Sequence, residues 1–316
     1  MLDLVIDARA ASIGNGFNVK RILPYRLRRM LGPFIFMDHA GPVRMPPNQL
    51  ASMDVLPHPH IGLSTVSYLF DGQVTHRDSL GVQQVIRPGE VNWMTAGRGI
   101  AHSERFEDPA MLANGSLEMI QTWVALPETV EESAPTFDNY QPHELPIVTD
   151  TGVWLRLIAG EAFGLTNEVK TQSPLFYAHV VLQPGARFGL PQGHSERGAY
   201  VAKGSVEVNG HTHGVGQLLV FTNGIDPVIT AIDTCTLMVL GGEPLGERFI
   251  CRAAGAVEFC FLPAGTYRAG QSRLAGGPHF VASQRQLRVC SAAPGFIQTR
   301  RIVNRLPSTP SFILEK

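Results

Sequence analysis

Hydrophobic and polar residues alternate along most of this chain in short segments. Glycine, proline, asparagine and aspartate interrupt these segments, and few stretches show the spacing that an amphipathic helix requires. This pattern predicts an all-β protein. The clearest predicted strands cover residues 64–70, 82–97, 117–126, 153–160, 175–185, 198–210 and 236–242.

Two stretches of the chain share one pattern of strands and turn glycines. Residues 58–81 followed by 86–104 have a weaker echo in residues 193–221. Such a duplication is typical of two jelly-roll β-barrels joined in one chain. An acidic segment with several prolines, residues 126–146, lies between them. We therefore predict an N-terminal domain at residues 1–135 and a C-terminal domain at residues 136–250.

Composition and charge narrow the class of protein. The chain has 316 residues, 44% of them hydrophobic, which is enough to bury the cores of two domains. Its formal net charge of -1 provides no long-range attraction to nucleic acid or to an anionic membrane. No apolar run approaches the roughly 20 residues of a membrane-spanning helix, and Asp3 and Asp7 favour a strand over a signal peptide at the start. Four cysteines without paired spacing predict a reduced, cytoplasmic protein, which we expect to be a monomer.

Two residue pairs with a spacing of two carry candidate metal chemistry. His58 and His60 flank Pro59 at the start of a predicted strand, and His102 and Glu104 repeat the spacing farther along. Side chains two apart in a strand point to the same face, so neighbouring strands would bring three imidazoles and a carboxylate together. This set suits a non-haem Fe(II) centre or a zinc site with an open position. The competing interpretation is that each histidine is an ordinary hydrogen-bonded strand residue.

Three nearby polar residues leave a similar choice open. His76 follows the first predicted strand pair, where it is either a loop histidine or a residue that orients a metal ligand. His39 poses the same choice. Asp38 beside it is more typical of a turn or cap than of a catalytic acid.

Three motifs, in order, carry a resemblance to a known family. They are FIFMDHAGP at residues 34–42, HPHIGLSTVSYLFDGQVTHRDSLG at 58–81 and PGEVNWMTAGRGIAHSE at 88–104. Together they resemble the pirin family of bicupins, over about residues 8–248. The resemblance implies two tandem cupin domains with one iron in the first, and the implied ligands are His58, His60, His102 and Glu104. Zn, Mn, Co, Ni and Cu are other metals that such a ligand set accepts.

The resemblance leaves two functions open. Some pirin-family members are similar to quercetin 2,3-dioxygenases, which open the flavonol ring with O₂ and release carbon monoxide. Others resemble redox-responsive regulators that act through protein partners without turnover. For the enzyme, Glu104 is expected to act as a general base as well as a ligand. Phe70, Trp93 and Met94 are candidates for an apolar wall beside a small aromatic substrate.

The chain also departs from the family pattern close to His58 and His60. Ile61 and Ser64 stand where many relatives have a basic and an acidic residue, so hydrogen bonding around the metal is expected to differ. The resemblance implies a metal-free second domain. Its candidate ligands are His194, Glu196, His211 and His213.

Residues 251–316 differ in composition from the rest of the chain. They hold nine lysines and arginines against two glutamates, and three of the four cysteines. Scattered glycine, proline and alanine without periodicity predict a poorly structured tail. Pirin relatives continue here with a WNFVSS strand and a charged helix, and DNA encoding residues 256–277 can spell such an ending in the neighbouring reading frame. We therefore hypothesise that the reading frame changes near residues 250–257.

Overall fold

The structure, a computed structural model, describes residues 2–13, 17–44, 46, 49, 53–107, 116–246, 248–252, 259–263 and 298–302. These residues form strands, turns and short irregular segments, and none of them lies in an α-helix. The predicted all-β fold is confirmed. In the first part of the chain the strands are β1 (Leu2–Asp7), β2 (Arg9–Ile13), β3 (Phe17–Leu23), β4 (Phe34–Arg44), β5 (Val55–Ile61), β6 (Leu63–Asp71), β7 (Val74–Asp78), β8 (Gln83–Ile86), β9 (Val91–Thr95), β10 (Ile100–Arg105), β11 (Ser116–Ala125) and β12 (Thr136–Tyr140).

The strands continue in the same way through the rest of the chain. They are β13 (Ile147–Asp150), β14 (Val153–Ala162), β15 (Leu165–Thr166), β16 (Leu175–Leu182), β17 (Arg187–Gly189), β18 (Glu196–Lys203), β19 (Ser205–Val208), β20 (His211–Gly214), β21 (Gln217–Phe221), β22 (Val228–Ala231), β23 (Cys235–Gly242), β24 (Arg248–Arg252), β25 (Phe259–Pro263) and β26 (Gln298–Ile302).

The first barrel is built from two sheets that pack face to face. One sheet, the large sheet, has the strand order β12-β9-β6-β11-β4-β3-β2. The other contains the four strands β5-β10-β7-β8, which we call the small sheet, and β25, β24 and β26 extend it beyond β5. Apolar side chains from both sheets form its core, including Leu69 and Leu117 from the larger sheet and Val74 and Ile86 from the smaller. The alternation along each strand therefore turns one face inward, as a jelly roll requires.

The second barrel repeats this arrangement. Its large sheet has the order β1-β21-β18-β23-β16-β14-β13, with β15 paired to β14, and its small sheet has the order β17-β22-β19-β20. The core between them combines Phe176 and Val239 of the large sheet with Val206 and Ile229 of the small sheet. Most buried side chains of this barrel are apolar, and the polar side chains of His213 and Arg197 are buried as well.

Two strands cross the division predicted at residue 135. β1 pairs antiparallel with β21 of the second barrel, from Leu2 opposite Phe221 to Asp7 opposite Gln217. β12 pairs with β9 of the first barrel. A strand can join any free sheet edge that it reaches in space, so proximity in sequence does not decide its partner. The domain boundaries stay a prediction, and the pairing adds that the N-terminal strand completes the second barrel.

The large sheets of the two barrels pack against each other and share one core. The largest side chains in this shared core are Trp93, Tyr68, Tyr177, Tyr200 and Phe34. Polar contacts cross the same interface: the Tyr68 hydroxyl lies 2.9 Å from His179 Nδ1, and Lys203 Nζ lies 2.6 Å from Glu118 Oε2. We infer that the two barrels stabilise each other.

Two of the predicted strands are each divided by a turn. The stretch 82–97 separates into β8 and β9 at Pro88 and Gly89, because proline cannot donate a ladder hydrogen bond and Gly89 has a φ of 80°. The stretch 198–210 separates into β18 and β19 at Gly204, whose φ is 72°. A Cβ at Gly204 would lie 2.4 Å from Asp233 Oδ1, so the turn needs a residue without a side chain.

Most of the tail predicted to be poorly structured lies outside the described residues. Within it, the backbone forms β25 and β26, which both pair with β24. β25 also runs parallel to β5, with Phe259 opposite His60. The hypothesis of a changed reading frame concerns the nucleotide sequence and stays a prediction.

Candidate metal centre

β5 and β10 position the two predicted ligand pairs. The strands are antiparallel neighbours, with His102 opposite His58 and Ile100 opposite His60. His58 and His60 share a face because they are two apart, and Pro59 between them contributes no hydrogen-bond donor to the ladder. The register therefore places three histidines side by side on one face of the small sheet.

The three imidazoles converge. Their ring centroids are 4.9 Å apart for His58 and His60, 4.4 Å for His58 and His102, and 5.0 Å for His60 and His102. One ring nitrogen from each histidine lies within 4.8 Å of the corresponding nitrogens of the other two. Such a cluster can hold a divalent metal ion, since imidazole nitrogens suit first-row metals.

The protonation of these rings fits metal binding. Burial lowers the pKa of His58, and it lowers the pKa values of His60 and His102 well below their usual value. A lowered pKa favours the neutral ring, which is the form that binds a metal. His58 Nδ1–H donates to the Leu56 carbonyl oxygen at 2.9 Å, which leaves Nε2 for a metal. In the part of the chain that the structure describes, His60 Nδ1 and His102 Nε2 are buried without a hydrogen-bond partner.

Glu104 lies beside the cluster but is not part of the three-histidine group. Along β10 the register with β5 shifts between His102 and Glu104, so Glu104 pairs with Val55 on one side and with His76 of β7 on the other. Burial raises the pKa of its carboxyl to about 7. The role of Glu104 as a fourth ligand stays a prediction, and its pKa allows it to take up or release a proton near neutral pH.

His76 is a strand residue next to the cluster. It lies on β7, is buried, and its Nδ1 is 3.3 Å from Nδ1 of His102. Its Nε2 is 3.0 Å from Oδ2 of Asp78, two residues on. The choice that the sequence left open is thus decided in favour of contact with a predicted ligand. Sequence reasoning missed Asp78, although the spacing of two in HRD carries the same signal as His58 and His60.

His39 of β4 contacts the second barrel, and Asp38 beside it forms an ion pair within the first barrel. His39 Nδ1 is 2.9 Å from the Tyr200 hydroxyl, and its Nε2 is 3.3 Å from Glu118 Oε1. Asp38 accepts two hydrogen bonds from the Arg21 guanidinium, at 2.9 and 2.8 Å. Asp38 is therefore a strand residue held by an ion pair, and the expectation of a turn or cap was wrong.

The expected apolar wall is only partly where the sequence placed it. Phe70 packs against His39 and His179 at the interface between the barrels, because alternation along β6 turns it away from the interior of the first barrel. Trp93 belongs to the shared core of the two barrels. Met94, on the opposite face of β9, packs with Ile100 of β10.

Trp123 adjoins the cluster and was not predicted. Its ring centroid is 5.0 Å from that of His60, and it stacks on Phe36 at 4.0 Å. No spacing in the sequence links Trp123 on β11 with His60 on β5, since the contact joins two different sheets. The residues that depart from the family pattern are both buried, with Ile61 in β5 and Ser64 bonded through its hydroxyl to Thr95 at 3.1 Å.

The four candidate ligands of the second barrel are not gathered in the same way. His194 contacts a backbone carbonyl, and Glu196 forms an ion pair with Arg28 at 3.0 Å. His211 and His213 lie on β20, in the small sheet. Among the described residues, these side chains form no group that could hold a metal.

Comparison with known proteins identifies the family. A family model described as Pirin matches residues 16–124, and one described as Pirin C-terminal cupin domain matches residues 177–252. A relative named pirin-like protein, from Caulobacter vibrioides, is 52% identical over 251 residues, which cover 79% of this chain and 86% of the relative. The chain belongs to the pirin family. The tandem cupin domains expected from the resemblance are thereby confirmed.

Solved structures similar to this chain include two described as quercetin 2,3-dioxygenase from Acinetobacter baumannii. One is 34% identical with a TM-score of 0.71, and the match covers 78% of this chain and 81% of that one. The other is 30% identical with a TM-score of 0.72, and covers 78% and 88%. For this pirin-family chain, no helix in the described residues has the length and apolarity needed to cross a membrane.

Proposed function

We propose that this pirin-family protein is a metal-dependent dioxygenase of the quercetin 2,3-dioxygenase type, which cleaves a flavonol or related aromatic substrate with O₂. The convergence of His58, His60 and His102, with ring nitrogens within 4.8 Å of one another, carries the proposal. The Acinetobacter baumannii proteins described as quercetin 2,3-dioxygenase support the substrate class. The cytoplasmic location and monomeric state expected from the sequence belong to the same proposal.

The three histidines would hold the metal, and Glu104 would complete the set. We propose Fe(II), because histidines with one carboxylate and open positions are typical of non-haem Fe(II) oxygen chemistry. When bound, the metal supplies Lewis-acid catalysis and oxygen activation. The buried neutral rings favour occupancy, since an unpaired ring nitrogen in an apolar interior is costly.

Glu104 and the apolar neighbours would act on the substrate. The Glu104 carboxylate takes the proton of the flavonol 3-hydroxyl, and its pKa of about 7 is close to the value that favours general base catalysis at neutral pH. Trp123 contacts the ring of His60, and Ile100 is paired with His60 across the two strands; both provide apolar surface that would exclude water from an aromatic substrate.

Metal analysis followed by a turnover assay tests this proposal. We expect iron-loaded protein to consume O₂ and release carbon monoxide only when a flavonol is present. Glu104→Gln should lower kcat by about 10²- to 10⁴-fold, the usual range for loss of a general base. Glu207→Gln, at an exposed position of β19, should keep the rate of the unaltered protein.

Iron-loaded protein that turns over no flavonol would contradict the proposal. The regulatory function that the resemblance left open would then be favoured. Its test is a protein interaction that changes between the Fe(II) and Fe(III) states.

A further inference from the structure

His102 also contacts His76, which is not one of the proposed metal ligands. We propose that His76 and Asp78 are positioning residues that fix which nitrogen of His102 carries a proton, so that Nε2 of His102 is free to bind the metal. This inference rests on the proposed metal centre and adds two residues that do not touch the metal.

The three side chains form a continuous hydrogen-bonded chain. His102 Nδ1 lies 3.3 Å from His76 Nδ1, and His76 Nε2 lies 3.0 Å from Asp78 Oδ2. The other carboxylate oxygen, Oδ1, accepts the backbone N–H groups of Leu80 at 2.8 Å and Val82 at 3.1 Å. Both oxygens of Asp78 are therefore engaged, each with a different kind of partner.

The chemistry of these groups fixes which nitrogen carries the proton in each hydrogen bond between His102, His76 and Asp78. A carboxylate can only accept, so Nε2 of His76 must carry the hydrogen that Asp78 Oδ2 receives. In a neutral imidazole the other nitrogen is then an acceptor, which makes His76 Nδ1 the acceptor for His102. His102 consequently donates from Nδ1, and its Nε2 keeps a lone pair. That Nε2 is the nitrogen buried without a hydrogen-bond partner in the described chain.

The surrounding structure holds the side chains of Asp78 and His76 in place. Asp78 ends β7, and the following turn is tied to β10, because Ser79 N–H donates to the Ala101 carbonyl at 2.8 Å. The ring of His76 stacks on Phe137 of β12, with centroids 4.4 Å apart and an interplanar angle of 23°. A flip of the ring within this stack would exchange its nitrogens for carbons and break both hydrogen bonds. Neither nitrogen of His76 is left for the metal itself.

Asp78→Asn tests the inference sharply, because it should reverse the direction of every hydrogen bond in the chain. The asparagine Oδ1 is needed for the two backbone N–H groups, so the amide nitrogen takes the place of Oδ2 and becomes a donor to His76. His76 must then donate from Nδ1, and His102 must carry its hydrogen on Nε2. We expect the Zn²⁺ dissociation constant to rise by about 10- to 100-fold.

Two further variants separate this role from a general loss of structure. His76→Gln can keep an acceptor toward His102 and a donor toward Asp78, so it should recover most of the affinity that His76→Leu loses. Asp71→Asn is the matched control, because Asp71 also ends a strand and accepts the next backbone N–H, from Gly72, at 2.8 Å. Its Zn²⁺ affinity should equal that of the unaltered protein.

The proton positions can also be read directly. Nitrogen-15 NMR of the histidine rings in metal-free, full-length protein should show His102 protonated at Nδ1, and at Nε2 in Asp78→Asn. A merely structural role for Asp78 would not invert this signature.

Unchanged Zn²⁺ affinity and unchanged His102 protonation in Asp78→Asn would overturn the inference and leave the metal centre standing. Failure of the unaltered protein to bind any metal would overturn the metal centre and this role together.

Discussion

The two barrels share one fold and both carry histidines, yet among the residues that the structure describes only the first brings three of them together. In the first barrel, the histidines of β5 and β10 lie on neighbouring strands of one sheet, and alternation turns them to the same point. In the second, Glu196 lies on β18 of the large sheet, whereas His211 and His213 lie on β20 of the small sheet. A spacing of two brings side chains to one face, but only adjacent strands of one sheet bring two such pairs together.

The interiors of the two barrels also differ in the polar side chains that they bury. The buried side chains of the second barrel are mostly apolar, such as Phe176 and Val206, and its Glu196 forms an ion pair with Arg28. The first barrel gives up part of its apolar filling to buried imidazoles and a carboxylate. Burying polar groups costs stability unless they find partners, so we expect the first barrel to carry the proposed chemistry and the second to support it.

The largest expected effect tests whether the difference between the barrels is one of metal binding. His102→Ala should weaken metal binding by more than about 100-fold. Loss of a residue that only hydrogen-bonds to a metal ligand typically costs 10- to 100-fold, and loss of the ligand itself should cost more. His213→Ala is the matched control, because His213 is also buried and also has a ring nitrogen without a partner in the described chain. Metal content after gel filtration measures both. Equal metal in the two variants would remove the distinction between the barrels.

A smaller effect tests how far the barrels depend on each other. Leu240→Ala, in the shared core, should lower the free energy of unfolding by about 2–5 kcal/mol. Urea unfolding should remain a single transition, because both large sheets lose packing at once. Leu80→Ala, at a position that is 46% exposed, should change the value by less than about 0.5 kcal/mol. Two separate transitions would show that the barrels are independent.

The smallest effect concerns pH and the polar contacts across the interface. Burial, with the Arg156 and Lys203 cations, lowers the pKa of His179 to about 3. An unfolded histidine takes up its proton near pH 6.5, so the unfolded state is favoured as the pH falls below that value. His179 alone should therefore lower the free energy of unfolding by about 2 kcal/mol between pH 7 and pH 5.

A variant of His179 isolates this contribution. His179→Gln can still accept from the Tyr68 hydroxyl but does not titrate, so the pH dependence of its unfolding should be weaker by the same amount. His211→Gln, at an exposed position of the second barrel, should leave the dependence unchanged. Identical pH profiles for His179→Gln and the unaltered protein would contradict the assignment.

Much of the fold followed from local pattern. Alternation located most strands, and the repeated spacing of strands and turn glycines predicted two barrels. Alternation failed where a turn divides a stretch that was predicted as one strand, as at Gly89 and Gly204. A single residue of positive φ leaves the hydrophobic pattern on either side unchanged. The pairing of β1 with β21 was also beyond reach, since the edges left free depend on the assembled sheets.

Some residues of the candidate site could also be identified from a local sequence signal, and others could not. His58, His60 and His102 were found because their spacing is a local signal, and Asp78 could have been found from its spacing with His76. Trp123 could not, because its contact with His60 joins strands far apart in sequence.

The amino-acid sequence by itself determined the all-β fold class, the shared face of His58 and His60, and the set of candidate metal ligands. These are properties of one strand, set by the two-residue period of the extended backbone. The tertiary structure alone decided that β10 lies between β5 and β7, and so that His102 meets two histidines on one side and His76 with Asp78 on the other. Neighbourhood between strands is settled by the packing of whole sheets, for which no single segment carries the information.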